Sequence, residues 1–239
     1  MTTVLITGAN RGFGLGLTRV YADRGDHQVL ACCRSPEQAD DLNALVAAGK
    51  PVELFKLDVA DLRSIAELGA ALGDRPIDVL INNAGIFGKN PPATTGFEEQ
   101  QFGLSDWDPD WIMPFRTNVM GPMAMVETLV DNVAASEQKK IVVITSIVGS
   151  ISHAMGHMFG YAASKAAANM TARNLALALQ GRGIVVNPLH PGYAKTDMGG
   201  EAAHVEVDDA VAGIVARIDA MSLARTGAFL SFDGSELPW

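Results

Sequence analysis

The chain has 239 residues, 48% of them hydrophobic and 19% charged, with a formal charge of −9. That length suits one α/β domain with its own core, the composition excludes a disordered chain, and the acidic balance argues against nucleic acid as a partner. No apolar run is long enough to span a bilayer, nothing at the start reads as a leader, and the only cysteines, Cys32 and Cys33, are adjacent in an apolar run, so the expectation is a cytoplasmic protein with reduced strand cysteines.

Residues 3–7 are apolar and β-branched, hence a buried strand. Gly8-Ala9-Asn10-Arg11-Gly12-Phe13-Gly14 follows, and a helical pattern runs over 15–24. Strand, glycine turn and helix in that order let a backbone approach a pyrophosphate, with the helix N-terminus offering N–H groups to it. The second strand, 28–33, ends at Arg34 with no acid at its end. An acid there would favour NAD through the ribose hydroxyl; Arg34 with Arg11 suits a 2′-phosphate, so NADP is favoured over NAD. The opposing possibility is that these arginines only pair with surface acids such as Glu37.

A helix is expected over 36–48, a strand over 52–57 ending at Asp58-Val59, a helix over 61–72, and a fourth strand over 77–81 ending in Asn82-Asn83-Ala84-Gly85. Strands alternating with helices at this spacing predict a parallel sheet covered on both faces. Asp58 and Asn83 fall at strand ends, where such sheets bind ligands. Residues 86–108 read as a long loop. Asp106, Asp108 and Asp110 resemble the start of a calcium loop, but Trp111 and Thr117 stand where Gly and Glu are needed, so the reading is an acidic helix start and no metal. A helix over 110–134 carries Pro114 and Pro122, which predict a kink or a first-turn proline, and Asn118, which has no propensity reason to be there.

The fifth strand, 139–145, ends at Ser146. A helix over 159–180 carries Tyr161 and Lys165, four apart and so on one face. A free phenol titrates near 10, and a neighbouring cation lowers that value, which would bring Tyr161 into range to trade a proton with a substrate oxygen. His153 and His157 have no carboxylate or cysteine nearby to complete a metal site. A sixth strand over 184–189, His190-Pro191-Gly192, a helix over 207–221 and a last strand over 228–232 complete one domain over 1–239.

Taken in order, Thr7-Gly8-x-x-x-Gly12-x-Gly14, Asn82-Asn83-Ala84-Gly85, Asn118, Ser146, Tyr161-x-x-x-Lys165 and Pro191-Gly192 resemble the short-chain dehydrogenase/reductase family over essentially the whole chain. Cys33-Arg34-Ser35-Pro36-Glu37 and the C-terminal Gly-Ala-Phe-Leu-Ser-Phe-Asp-Gly-Ser-Glu-Leu-Pro-Trp are similar to its C-factor and sniffer-like carbonyl reductase branch. The resemblance implies a single-domain Rossmann fold with a seven-stranded parallel sheet, and an NADP-dependent oxidoreductase interconverting a carbonyl and an alcohol. Tyr161 would be the acid/base and Lys165 would lower its pKa and hold the nicotinamide ribose. Ser146 would polarise the carbonyl, and Asn118 would sustain a water-linked proton relay. Asp58 and Val59 would flank the adenine, and Asn83, Ala84 and Gly85 would line the cofactor. Thr196, after Pro191-Gly192, would hold the carboxamide or pyrophosphate. The family also implies a homodimer or homotetramer through the two long helices.

Two positions depart from the family pattern. Ser146 lies slightly further upstream of Tyr161 than usual, with Val148 where a strict count would put the serine, which implies a longer loop. Ala194 replaces a larger aliphatic residue. The substrate pocket is expected from residues 86–108, 148–160 and 193–204; Phe87, Phe97, His153, Met155, Met158, Phe159, Tyr193 and Met198 there favour an apolar carbonyl. The alternative function is a cofactor-binding signalling protein of the C-factor type with little or no turnover.

Overall fold

Seven apolar segments form the strands: β1 (Thr2–Thr7), β2 (His27–Cys33), β3 (Val52–Lys56), β4 (Val79–Asn82), β5 (Lys140–Ile144), β6 (Val185–His190) and β7 (Leu230–Ser231). In this computed structural model, which describes residues 1–89, 91–95, 102–103 and 105–239, they pair in parallel in the order β3-β2-β1-β4-β5-β6-β7. The chain reverses direction across the sheet between β1 and β4, which opens a crevice beyond their C-terminal ends.

The central strands carry aliphatic residues without polar alternation because both faces are covered. On one face Val4, Ile6, Val29 and Ile81 pack under α1 (Gly12–Ala22), α2 (Asp40–Ala47) and α6 (Val207–Asp219), through Leu17, Leu42 and Ile214. On the other, Leu5, Leu80 and Ile141 meet α3 (Leu62–Leu72), α4 (Gly121–Ala134) and α5 (Phe159–Leu179), through Ile65, Met125 and Leu175. Each such aliphatic side chain, removed fully from water, contributes about 1.5–3 kcal/mol. Among the described residues no helix is long and apolar enough to cross a membrane.

Three segments differ from the sequence expectation. The helix expected over 36–48 splits into a tight turn, Pro36–Gln38, and α2. Ala39 leaves helical geometry between them, and Asn43 Nδ2 closes the break by donating to Pro36 O and Ala39 O. Among its described residues, the loop expected over 86–108 contains a helical turn, Pro92–Thr95. The helix expected over 110–134 starts at Trp107 and contains two π turns, Asp108–Ile112 and Arg116–Met120, ahead of α4. Pro114 and Pro122 have no N–H to return to the carbonyls four residues before them, those of Asp110 and Asn118. The chain accommodates each loss by widening: Met113 N bonds Asp108 O, and Gly121 N bonds Arg116 O.

Candidate active site

The first part of the site is made of backbone. Arg11 precedes α1 in extended geometry and its side chain caps nothing, so the N–H groups of the first turn face outward with the positive end of the helix. Gly14 has no room for a side chain: a Cβ would lie 2.1 Å from Gly8 O and 2.7 Å from Asn83 Nδ2. Asn83 Nδ2 donates to Thr7 O at 2.9 Å and to Gly8 O at 3.2 Å. Thr7 Oγ1 accepts from the backbone N–H groups of Asn83 and Ala84, both at 3.0 Å. The loops after β1 and β4 are thereby tied into one surface. On its far side Thr196 Cγ2 lies 3.6 Å from the position a Gly12 Cβ would occupy, so the turn after Pro191-Gly192 closes over the glycine loop.

At the end of β2, Arg34 is exposed and makes no ion pair among the described residues. Arg11 reaches the same rim and pairs with Asp197 at 2.9 Å, both side chains well exposed. Asp58 Oδ1 accepts from Ala60 N at 2.9 Å, and Asp58 N donates to Ser64 Oγ at 3.0 Å, so Asp58 shapes the turn. The Val59 side chain belongs to the core beneath α3 and α4, and Phe13 packs against the opposite core, while Asn10 is exposed. A glycine cradle at an uncapped helix start, with a free guanidinium at the end of β2, fits a dinucleotide carrying a 2′-phosphate.

The second part is made of side chains. Tyr161 and Lys165 sit in the first turns of α5, with Lys165 Nζ 5.6 Å from the centre of the Tyr161 ring. The ammonium donates to Ile144 O at 3.0 Å, which leaves it two further donors. These face the space beside Gly85, where a Cβ would lie 3.5 Å from Lys165 Nζ and 3.3 Å from Asn118 Oδ1. Burial pushes Lys165 down to about 8. It also pushes the Tyr161 phenol up, to about 12, against the smaller downward pull of the Ser146 hydroxyl.

The sequence expectation is that Lys165 brings the phenol down; in the chain alone the shift runs the other way, because desolvation outweighs the Ser146 hydroxyl, while Lys165 Nζ lies over the ring and bonds Ile144 O. Ser146 stands at the start of a tight turn, Ile147–Gly149, and accepts from Val148 N at 3.3 Å. That turn and the next, Ile151–His153, lie in the stretch between Ser146 and Tyr161.

Asn118, in the second π turn, bonds the chain leaving β4 on both sides: Ile86 N donates to its Oδ1 and its Nδ2 donates to Ile86 O, both at 2.9 Å. Nδ2 also donates to Ser164 Oγ at 3.0 Å, and Ser164 Oγ donates to Tyr161 O at 2.7 Å. Phe87 is buried and its ring stacks on that of Tyr161 at 4.6 Å. Ser164 escaped the sequence reading, which took Thr7 only as part of the glycine motif and Phe87 only as a pocket residue. Each adjoins a motif residue, but their roles lie in contacts across the fold that spacing does not reveal.

A family match decides what this assembly is. Residues 2–206 match the family described as short chain dehydrogenase. The chain belongs to that family. Three relatives place this dehydrogenase more closely. The NADPH-bound carbonyl reductase from chicken fatty liver is 30% identical, with a TM-score of 0.89 covering 100% of this chain and 99% of that one. The carbonyl reductase Sniffer of D. melanogaster is 28% identical, also at TM-score 0.89, covering 100% of both chains. The C-signal protein of Myxococcus xanthus is 33% identical over 166 residues, which is 69% of this chain and 93% of its own.

Beside the Tyr161 ring of this short-chain dehydrogenase lies a small cleft lined by Phe87, Met158, Phe159 and Tyr161 together with Ser105, Asp110 and Gly160. Phe102 stands edge-on to Phe159 at 6.2 Å. Tyr193 turns its hydroxyl to Gly199 O at 2.8 Å, His153 and Met155 are exposed, and Phe97 lies outside the described residues. Cys32 and Cys33 are buried free thiols in β2. Among the described residues no three His, Cys, Asp or Glu side chains group as metal ligands.

Proposed function

We propose that this dehydrogenase is an NADP-dependent reductase of apolar aldehydes or ketones, running the alcohol–carbonyl interconversion with Tyr161 as acid/base. The observation that carries the reading is the half-buried Tyr161, with Ser146 beside it and Lys165 on the same helix face. Held near 12, the phenol is protonated at neutral pH, which is the form needed to give its proton to a carbonyl oxygen as that oxygen becomes an alcohol. A bound reduced nicotinamide supplies the hydride to the carbonyl carbon. Ser146 donates to the developing oxyanion. Lys165, at about 8 still largely an ammonium at neutrality, holds the ribose through its two remaining donors and stabilises the phenolate left on Tyr161 after the proton has moved. Asn118 Oδ1, on the Lys165 side of Gly85, supports a water-linked return of that proton. The glycine loop, Asn83–Gly85 and Thr196 hold the dinucleotide, and Arg34 with Arg11 takes the 2′-phosphate.

The test is loss of reduced-nicotinamide absorbance with NADPH and, separately, NADH across a panel of aldehydes and ketones, for the parent chain and Tyr161→Phe. The expected result is turnover that prefers NADPH and falls by about 10²–10⁴-fold in the variant, with NADPH binding retained. Similarity to the C-signal protein favours one second reading, a nucleotide-binding signalling protein. Tight NADPH binding with no turnover on any carbonyl would move the assignment there.

A further inference from the structure

The helical run ahead of α4 uses one device twice. Its two prolines free the carbonyls of Asp110 and Asn118, and each of these residues sits in a π turn. Asn118 anchors Ile86. Asp110 does the matching work three residues on: its Oδ1 accepts from Lys89 N at 2.8 Å, while its Oδ2 accepts from Asp106 N at 2.7 Å. Gly88 lies so close to this carboxylate that a Cβ would be 2.8 Å from Oδ1, and its φ of +134° is one that side-chain-bearing residues rarely adopt. The freed Asp110 carbonyl packs on Gly160, where a Cβ would come within 1.8 Å of it. Asp110 therefore touches the segment leaving β4 and the residue before Tyr161 at once. Between the two anchored ends, Ile86 and Lys89, stands Phe87, stacked on the Tyr161 ring.

The geometry points to Asp110 as a positioning residue for the reaction: with Asn118 it clamps residues 86–89 so that Phe87 is held flat against Tyr161. Neither Asp110 nor Phe87 exchanges a proton. Their part is to fix the ring's orientation and keep water from one of its faces. The acidic run Asp106, Asp108 and Asp110, which resembles a calcium loop in sequence, finds its use here: one carboxylate shared between two backbone N–H groups, with Lys89 Nζ and Asp106 Oδ2 at 3.8 Å alongside. The inference rests on the reductase reading for its kinetic consequence, but not for the clamp itself.

The test compares the parent with Asp110→Ala, Asp110→Asn, Phe87→Leu and the double variant Asp110→Ala/Phe87→Leu. The readouts are kinetics with NADPH and 4-nitrobenzaldehyde from neutral to alkaline pH, NADPH binding by fluorescence, and tyrosinate titration by ultraviolet absorbance. Asp110→Ala is expected to lose about tenfold in kcat/KM, with NADPH affinity unchanged and the alkaline limb of the pH profile moved to lower pH as water reaches the phenol. Asp110→Asn, which keeps an acceptor oxygen, is expected to fall between. Phe87→Leu should shift the same limb, and the double variant should lose no more than the worse single, because the two residues act as one unit.

Additive losses, or an alkaline limb that stays in place, would overturn the clamp while leaving the reductase reading intact. If the parent turns over no carbonyl of the panel, the reductase reading fails, and the tyrosinate titration decides the clamp alone. One tyrosine step moving down in both Asp110→Ala and Phe87→Leu supports it, and an unmoved titration overturns it.

Discussion

The two halves of the sheet's C-terminal edge are built from different materials. Over β1 and β4 the surface is backbone: a glycine loop pressed against its neighbour, with Thr7 and Asn83 spending their hydrogen bonds on main-chain groups. Over β5 and β6 it is side chains: Tyr161, Lys165 and His190, partly or wholly buried and all moved from their ordinary pKa by that burial. The first half is set by how closely chains approach and is indifferent to pH. The second is set by how much water reaches each group, so its behaviour depends on packing and on protonation.

The sharpest way to break this contrast is Gly14→Ala. The added methyl meets Gly8 O at 2.1 Å and the Asn83 amide at 2.7 Å, both parts of the cradle rather than flexible side-chain ends. Overpacking of this kind costs about 1–3 kcal/mol, so NADPH affinity should fall about 10–100-fold by fluorescence titration, with the phenol and ammonium of the other half titrating as before. Unchanged affinity at unchanged melting temperature would mean that the glycine loop is not the cradle.

The same contrast explains what the sequence made legible. The backbone half announces itself, because only glycine fits where chains touch and because Asn82-Asn83-Ala84-Gly85 follows a buried strand. The strands themselves followed from their apolar runs. The positions of Tyr161 and Lys165 on one helix face followed from spacing alone, but the direction of the phenol's shift did not. Spacing shows the cation nearby; it does not show that Phe87 stacks on the ring or that Ile144 O accepts a hydrogen bond from the lysine. Pro114 and Pro122 foretold a kink or first-turn prolines, and each stands in the first turn of a helical stretch with a π turn directly before it. Two prolines eight positions apart remove the bonds of Asp110 and Asn118, and widening each turn is gentler than one sharp bend. Asp110 was visible only as one of three acids, since its partners, Lys89 N and Asp106 N, are backbone groups with no signature.

A finer test lies at the rim of the backbone half, where two side chains do matter. Arg11 already has Asp197 at 2.9 Å, whereas Arg34 has no ion-pair partner among the described residues. Arg34→Ala should therefore cost more of the NADPH preference than Arg11→Ala, about tenfold in the ratio of kcat/KM for NADPH over NADH. An equal loss from both would mean that Asp197 gives up Arg11 freely, and the rim would then be as adaptable as the side-chain half.

The smallest effect expected probes the side-chain half through stability. His190 ends β6, and its Nδ1 is buried without a hydrogen-bond partner among the described residues. Burial is the main cause pushing it down to about 4; Asp233 opposes this, and Lys165 and His204 add to it. Unfolded, the imidazole titrates near 6.5. Between those values the unfolded chain binds the proton and the folded chain does not, so the contribution of His190 to stability is complete above about 6.5 and is lost as pH falls through about 4. The imidazole keeps some contact with water, and the effect is about 1 kcal/mol once that screening is allowed for. His190→Asn removes the titration. Urea unfolding of the nucleotide-free chain should then lose less stability on acidification than the parent does, while the two run parallel above neutrality. Parallel curves through the acid range as well would show that His190 takes its proton in the folded chain, which would make this half of the edge wetter than its packing implies.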